Sequence, residues 1–458
     1  MRNELTIIGA GATGLVLAYL AAKSGRRVRI LESSKTIGGL LATTKTKGDP
    51  LEFFYHHFFT HDAEINWLLG ELRLRDQIFY KPTVMGVFRS EKIYNFTTAL
   101  DLAKFRPLGW LDKARFAASS LFLSRCGDYM QYENVGALDW FYKYAGKNVT
   151  EAIWRPMLDI KFGRYAADVP LTWMIGRLQQ RLASRSGGRE QLGYLRGSLQ
   201  VLVDALEREL RSMGVEIFLN TPVERLEISG DSISGLKLRD GRLATEKVVC
   251  TVPTPYLTAM LDDRFAQYRR QLEKIEYFGA VCGMLFMNKP LSHVYWLNVA
   301  DPGYPFGGVI EHTNFISPDR YGGEHIAYLS RYVEADNPLL TQNEEEVCTE
   351  WMNKLKGIYP NFSPAQVNSM RLFRTKTAAV VCDKNFSKRL PAVATPIRGL
   401  SLINMMHVYP DERSVNNCIR LAAEGAKQLG ILQNVPVGRS LAGRLGFGNT
   451  FHNQELAA

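Results

Sequence analysis

The sequence predicts an α/β chain in which a parallel-sheet unit, assembled from three separated pieces, is interwoven with an α+β unit. Three observations predict this. The chain opens on strand, glycine turn, helix, strand and acid, in that order. A second glycine pair follows the acid. Two later stretches, one mid-chain and one near the end, return to short apolar strands able to close the same sheet.

The opening strand is Leu5-Thr6-Ile7-Ile8. It runs into Gly9-Ala10-Gly11-Ala12-Thr13-Gly14, a GxGxxG pattern, and then into a helical pattern that stops at Ser24-Gly25. A second strand, Val28 to Leu31, ends at Glu32 and Ser33. Each glycine has a physical task. Gly9 makes the tight turn, Gly11 lets the backbone approach a pyrophosphate, and Gly14 lets the helix pack closely on the strand. The phosphate then sits at the helix N-terminus, beside Thr13. Glu32 is placed to accept hydrogen bonds from an adenosine ribose. A lone GxGxxG is a weak signal, but the whole ordered unit is a strong one for dinucleotide binding.

Leu5 to Ala22 carries no charge and approaches the length of a membrane span. Its three glycines argue for a buried strand, turn and helix instead, and the flanking charges do not suit a signal peptide. The 458 residues are 46% hydrophobic and 22% charged, which excludes collagen, coiled coil and wholesale disorder. The net charge of +10 favours anionic partners such as nucleotides, phosphates or acidic lipid surfaces. No recognition motif accompanies the charge, so nucleic acid is not expected. The six cysteines form no close pair. They read as buried thiols of a cytoplasmic protein, and no metal is expected.

Lys35-Thr36-Ile37-Gly38-Gly39-Leu40 resembles the extended dinucleotide fingerprint of FAD enzymes with a glutathione-reductase-type Rossmann domain. Two further segments match the same superfamily. The first is Gly214 to Val223, an alternating hairpin, then Val248 to Pro253. The second is Gly399 to Asn404, followed by Ser414-Val415-Asn416-Asn417 and a helix to Leu429. The chain thus resembles the flavin amine oxidase and protoporphyrinogen oxidase-like superfamily, and is also similar to the UDP-galactopyranose mutases. The resemblance implies FAD as cofactor and an FAD-binding domain of residues 1–70, 196–260 and 395–435. Val223 would then lie near the adenine and Thr251 would return the chain to the nucleotide. Ser414 and Val415 would start a helix whose N-terminus supports negative charge on the flavin. Two positions depart from the family pattern: Leu40 stands where many amine oxidases carry arginine, and no glycine–acid pair ends the closing strand, so Asn404 or Asp411 is the candidate replacement.

The substrate domain is expected from 71–195, mostly helical, and 261–394, with strands at Ala280 to Met287 and His325 to Tyr332 and a helix from Glu345 to Tyr359. The tail 436–458 reads as loop. The stretch Leu102 to Tyr129 carries five cations among aromatic and aliphatic residues. It is either a solvated basic helix face, a guard over an apolar tunnel, or a peripheral membrane contact.

The catalytic candidates begin with Tyr55-His56-His57-Phe58-Phe59. In the resembling enzymes such a segment lies along the flavin ring, so His56 and His57 are candidates to tune it. Adjacent histidines point to opposite sides, which argues against a metal. Arg155 and Lys161 are candidates to hold an anionic substrate group, and Arg177, Arg181 and Arg185 lie at helical spacing. Glu311-His312 is a candidate acid–base pair, Tyr328 and Tyr332 share one strand face, and Tyr409 follows the closing strand. The resemblance implies an FAD-dependent oxidoreductase (oxidase, dehydrogenase or desaturase) that moves hydride from a substrate C–H to flavin N5. Its small-molecule substrate would be phosphorylated or isoprenoid. The alternatives are a non-redox flavin mutase acting on a nucleotide sugar, and a flavin-binding protein without catalysis.

Overall fold

The computed structural model describes residues 4–186 and 188–434. The expected tail at 436–458 lies outside the described residues. The first sheet is parallel, with strands in the order Glu216–Phe218, Arg27–Leu31, Glu4–Ile8, Val248–Cys250 and Leu400–Leu402. Side chains alternate across it, as strand geometry demands. Ile7, Ile30 and Val249 join the core beneath the helices Ala12–Lys23, Gln200–Ser212 and Val415–Gln428. Ile8, Leu31, Val248 and Cys250 join a second core beneath the antiparallel meander Val223–Ser229, Ser232–Leu238 and Gly241–Ala244. The sheet is covered on both faces, so its central strands are largely apolar rather than alternating, while the charged Arg27, Arg29 and Glu216 lie on the strands toward one edge. The helix Ala12–Lys23 is buried along nearly its whole length. That explains why the sequence carries no charge there.

The second unit is built on a seven-stranded sheet. Its order is Val367–Val380, Tyr277–Met287, His325–Glu334, Gly308–Glu311, Trp296–Val299, Met85–Arg89 and Lys92–Asn95. The stretch 71–195 is mostly helical, as expected, but the two strands at 85–95, together with Ile78–Pro82 and Arg189–Leu195, stand at its ends where no strand was expected. They are short edge and linking strands, too brief for a periodicity to register. Phe58–Phe59 pairs with Arg189–Leu195, which in turn pairs with Ile78–Pro82. This small sheet ties the stretch after the second glycine loop to the second unit.

Residues 99–183 form a helical layer around stacked rings, with Trp154 against Phe141 at 4.4 Å and against Phe116 at 5.3 Å between centroids. One turn of π-helix, Thr150–Trp154, precedes the helix Arg155–Phe162. Among the described residues no helix is long and apolar enough to cross a membrane, and all six cysteines are unpaired.

Candidate active site

A single cavity of about 1100 Å³ runs from the glycine loops into the second unit. It exceeds the roughly 300–1,000 Å³ typical of one small ligand, so it has room for a dinucleotide and a second molecule. At one end it is lined by Gly9, Gly11, Thr13, Gly14, Glu32, Ser33, Gly38, Gly39, Leu40, Val223, Thr251, Ser414 and Val415.

The geometry there is a backbone cradle. Gly9 has φ +104°, and a Cβ on it would stand 2.8 Å from Thr251 Oγ1. A Cβ on Gly14 would stand 2.1 Å from the Gly9 carbonyl oxygen. A Cβ on Gly11, in contrast, meets nothing within 4 Å, because that face looks into the cavity. The second loop docks on the first: Gly38 N–H donates to the Ala10 carbonyl at 2.8 Å, and a Cβ on Gly39 would come 3.1 Å from Gly11 Cα. The first intrahelical bond runs from Leu15 N–H to the Gly11 carbonyl. The earlier N–H groups of that helix are therefore free to meet an anion. Glu32 accepts from Ala10 N–H and Ser34 N–H, each at 2.8 Å, so it fixes both loops while keeping acceptor capacity for a sugar hydroxyl. Ser414 caps the helix Val415–Gln428, its hydroxyl accepting from Asn417 N–H. These features fit the pyrophosphate, ribose and flavin portions of FAD.

Asn404 does not line the cavity. Its amide oxygen accepts from Met406 N–H at 3.1 Å and its amide nitrogen donates to the Val252 carbonyl at 2.8 Å, so it caps and staples the loop. Asp411 pairs with Arg420 at 2.6 Å and is likewise away from the cavity.

At the other end, His56, His57, Lys161 and Arg181 line the wall. His56 Nδ1 lies 2.5 Å from the Phe54 carbonyl, which assigns its proton to Nδ1. Burial and the nearby Arg413 hold His56 down at about 4. His57 sits edge-on to Phe59 and Trp296, and its buried Nδ1 has no hydrogen-bond partner among the described residues. Burial, with Arg181 and Arg177 adding to it, holds His57 well below the usual imidazole range, so it is neutral. Lys161 forms an ion pair with Glu412 and lies 4.5 Å from the Trp173 ring centroid. Burial lowers Lys161 to about 8 against the pull of Glu412. Burial alone would raise Glu412, but Lys161, Arg177 and Arg413 hold it at about 2.

Three candidates stand elsewhere. Arg155 is on the surface, 3.5 Å from Asp159, one turn along its own helix. Tyr328 is fully buried beneath the wall and donates to the Glu52 carbonyl at 2.9 Å; its strand neighbour Tyr332 reaches the cavity instead. Tyr409 packs on Phe386 at a separate void of about 30 Å³. Glu311 and His312 are also off the cavity. Glu311 accepts from Leu291 and Ser292 N–H groups, and His312 Nε2 meets the Tyr321 hydroxyl at 2.6 Å, so both are buried latches. Glu412, Arg413 and Trp296 were not singled out in the sequence. The first two could have been found as a charged pair just before the Ser414 cap.

The family described as flavin containing amine oxidoreductase matches residues 12–382. The 15-cis-phytoene desaturase of an Oncidium hybrid cultivar is 21% identical over 430 residues, covering 87% of this chain and 73% of that protein. A solved structure assigned as a protoporphyrinogen oxidase from Exiguobacterium sp. 255-15 aligns with TM-score 0.75 and 16% identity, over 95% of this chain and all of that one (100%). Reduced UDP-galactopyranose mutase aligns with TM-score 0.71 and 15% identity, over 99% of this chain and 96% of that one. At such identities the solved structures establish a shared fold.

The buried histidines set an acid sensitivity. His56 and His407 are held at about 4 and His312 at about 3, against 6.5 ordinarily, chiefly by burial. The unfolded chain takes up protons below pH 6.5 that the folded chain refuses until about pH 4, so their contribution to stability falls as pH drops through that window. Asp62 and Glu311, raised to about 7 by burial, act in the opposite sense over this window. The histidine contribution is therefore read by difference: we expect the Tm of the wild type to lose ground to that of His56→Gln as pH falls from 6.5 to 4. An unchanged slope in scanning calorimetry would contradict this.

Proposed function

The chain belongs to the flavin-containing amine oxidoreductases and takes FAD as its cofactor, and within that family we propose that it removes a hydride from a C–H bond of a mainly apolar small molecule. The observation that carries this reading is the continuity of the cavity. One space joins the glycine cradle to a compartment walled by Phe116, Trp154, Leu158, Trp173 and Met174. Bound FAD supplies the two-electron acceptor.

The chain's own residues hold, orient and insulate. The glycine loops and the first turn of Ala12–Lys23 bind the pyrophosphate, and Glu32 the ribose. The N-terminus of Val415–Gln428 stabilises negative charge on the ring system it faces. His57, neutral and with Nδ1 unengaged, orients a polar group of the cofactor or substrate by one hydrogen bond. His56 is a positioning residue, pinned by the Phe54 carbonyl. Lys161 is neutralised by Glu412 and stands ready to order a polar substituent. The aromatic walls exclude water, which strengthens each of these contacts.

The experiment is anaerobic bleaching of the oxidised flavin with a panel of amines, polyprenols and porphyrinogens. We expect one class to bleach it, and His57→Ala to slow bleaching by about ten- to hundred-fold without loss of bound FAD. Isomerisation of a nucleotide sugar with pre-reduced flavin and no net bleaching would replace this reading with the mutase one. The arginines on the cavity wall favour that second reading.

We also assign a lipid contact to the stretch 102–129 and its approach. Trp110 is 76% exposed, Leu111 65% and Leu100 62%, and Phe122 and Leu121 are also exposed. The same stretch carries Lys104, Arg106, Lys113, Arg115 and Arg125, with the Lys113 ammonium 4.5 Å from the Trp110 ring centroid, a composition suited to an anionic interface. Leu102 and Phe116 of the same two helices reach the cavity, so an apolar substrate has a short path from lipid. Co-sedimentation with phosphatidylserine vesicles is expected, weakened several-fold by Trp110→Ser with Leu111→Ser. Equal recovery with the double variant, or none with the wild type, would remove this assignment.

A further inference from the structure

The cavity holds more positive charge than its acids and a dinucleotide explain. Seven cationic and three acidic side chains line it. Lys161 is matched by Glu412, and Arg181 by Glu190 at 3.6 Å. Arg177 makes no ion pair among the described residues; it donates to the Gln180 side-chain oxygen at 3.4 Å. The four remaining wall guanidiniums are engaged by neutral oxygens, Arg185 by the Thr97 carbonyl at 3.1 Å, Arg331 by the Pro305 carbonyl at 3.0 Å, Arg374 by the Gln342 carbonyl at 2.6 Å and Arg413 by the Tyr332 hydroxyl at 2.6 Å. The pyrophosphate cradle lies at the opposite end, where no arginine lines the glycine loops and the one acid is Glu32. The excess charge therefore faces the substrate compartment.

Arg177 and Arg181 sit one turn apart on the helix Leu171–Ala183, and both line the cavity. The Arg181 guanidinium carbon lies 6.0 Å from the Trp296 ring centroid, and the same ring packs edge-on to His57 at 5.8 Å. Both side chains are half-buried in this wall, and a cation partly withdrawn from water is costly unless an opposite charge meets it. Guanidinium forks match the oxygens of phosphate and carboxylate in pairs. An alkylammonium group brought here would instead add a like charge.

We propose that the substrate carries an anionic group, a phosphate or a carboxylate, and that Arg177 and Arg181 bind it while the apolar part lies against Trp154, Leu158, Trp173 and Met174. This rests on the oxidoreductase reading above, in which the same compartment holds the substrate. It departs from the amines that the family description names. Arg177 is the residue the test turns on, because it makes no ion pair among the described residues whose carboxylate its removal would strand.

The test is isothermal titration calorimetry of the FAD-loaded protein with octyl phosphate, octanoate and octylamine, which share one chain and differ in head group. At least one of the two anions is expected to bind, with octylamine at least about ten-fold weaker, and the stronger anion separates phosphate from carboxylate. Arg177→Gln is expected to weaken that anion by at least about ten-fold, with FAD content and Tm unchanged, and Arg177→Lys to recover part of the loss. Because Arg181→Gln leaves Glu190 without its partner, Arg177 carries the decision. Octylamine binding as tightly as the anions, or unchanged anion binding in Arg177→Gln, overturns the proposal. A protein that holds no FAD overturns the oxidoreductase reading instead, and the calorimetry still scores the anion site on its own.

Discussion

The structure depends on one close approach of backbone to backbone. Gly14, in the first turn of the first helix, lies so near the Gly9 carbonyl that no side chain fits between them. That contact sets the helix against the parallel sheet and aims its N-terminus into the cavity. Other bonds then lock the turn. Thr251 donates to the Ile8 carbonyl, Glu32 accepts from Ala10, and Gly38 donates to the Ala10 carbonyl. The stretch 32–38 and the distant Thr251 thereby converge on one loop. A chain interrupted twice by another unit needs such a point, because its sheet strands come from segments far apart in sequence.

The second constraint is charge in a place short of water. The wall of the substrate compartment keeps Lys161 and Glu412 as a pair and surrounds them with guanidiniums. His56 and His57 stay neutral beside these cations because burial and like charge both oppose a further proton. Neutral imidazoles next to fixed cations can offer a hydrogen bond without adding charge. This suits the hydride transfer proposed for the compartment.

Much of the cofactor end was legible because its physics is local. A tight turn, a close approach and a helix start each demand glycine at a fixed spacing, so Gly9, Gly11, Gly14, Gly38 and Gly39 announce themselves. Ser414 does so as a cap. The substrate end was less legible, because side-chain direction there is set by distant packing. Lys161 and Arg155 share a helix, yet one faces the cavity and the other faces solvent. Tyr328 and Tyr332 share a strand face, but the covering carbonyl of Glu52 takes the first. Asn404 resembled a cofactor ligand because it ends the closing strand, whereas its amide is consumed by the loop it caps. The short strands at 78–95 were hidden because four or five residues at a sheet edge carry too little pattern to outweigh the helices that follow.

The most direct measurement of the central claim is the flavin-to-protein ratio of the purified chain, taken from absorbance, for the wild type and Gly11→Val. A Cβ at Gly11 meets no protein atom within 4 Å and enters the space assigned to the pyrophosphate. The account predicts about one FAD per wild-type chain, and a variant that stays folded, melting with the FAD-stripped wild type, yet holds little or none. A wild-type chain that neither carries nor takes up FAD, or a variant that retains it in full, would contradict the account.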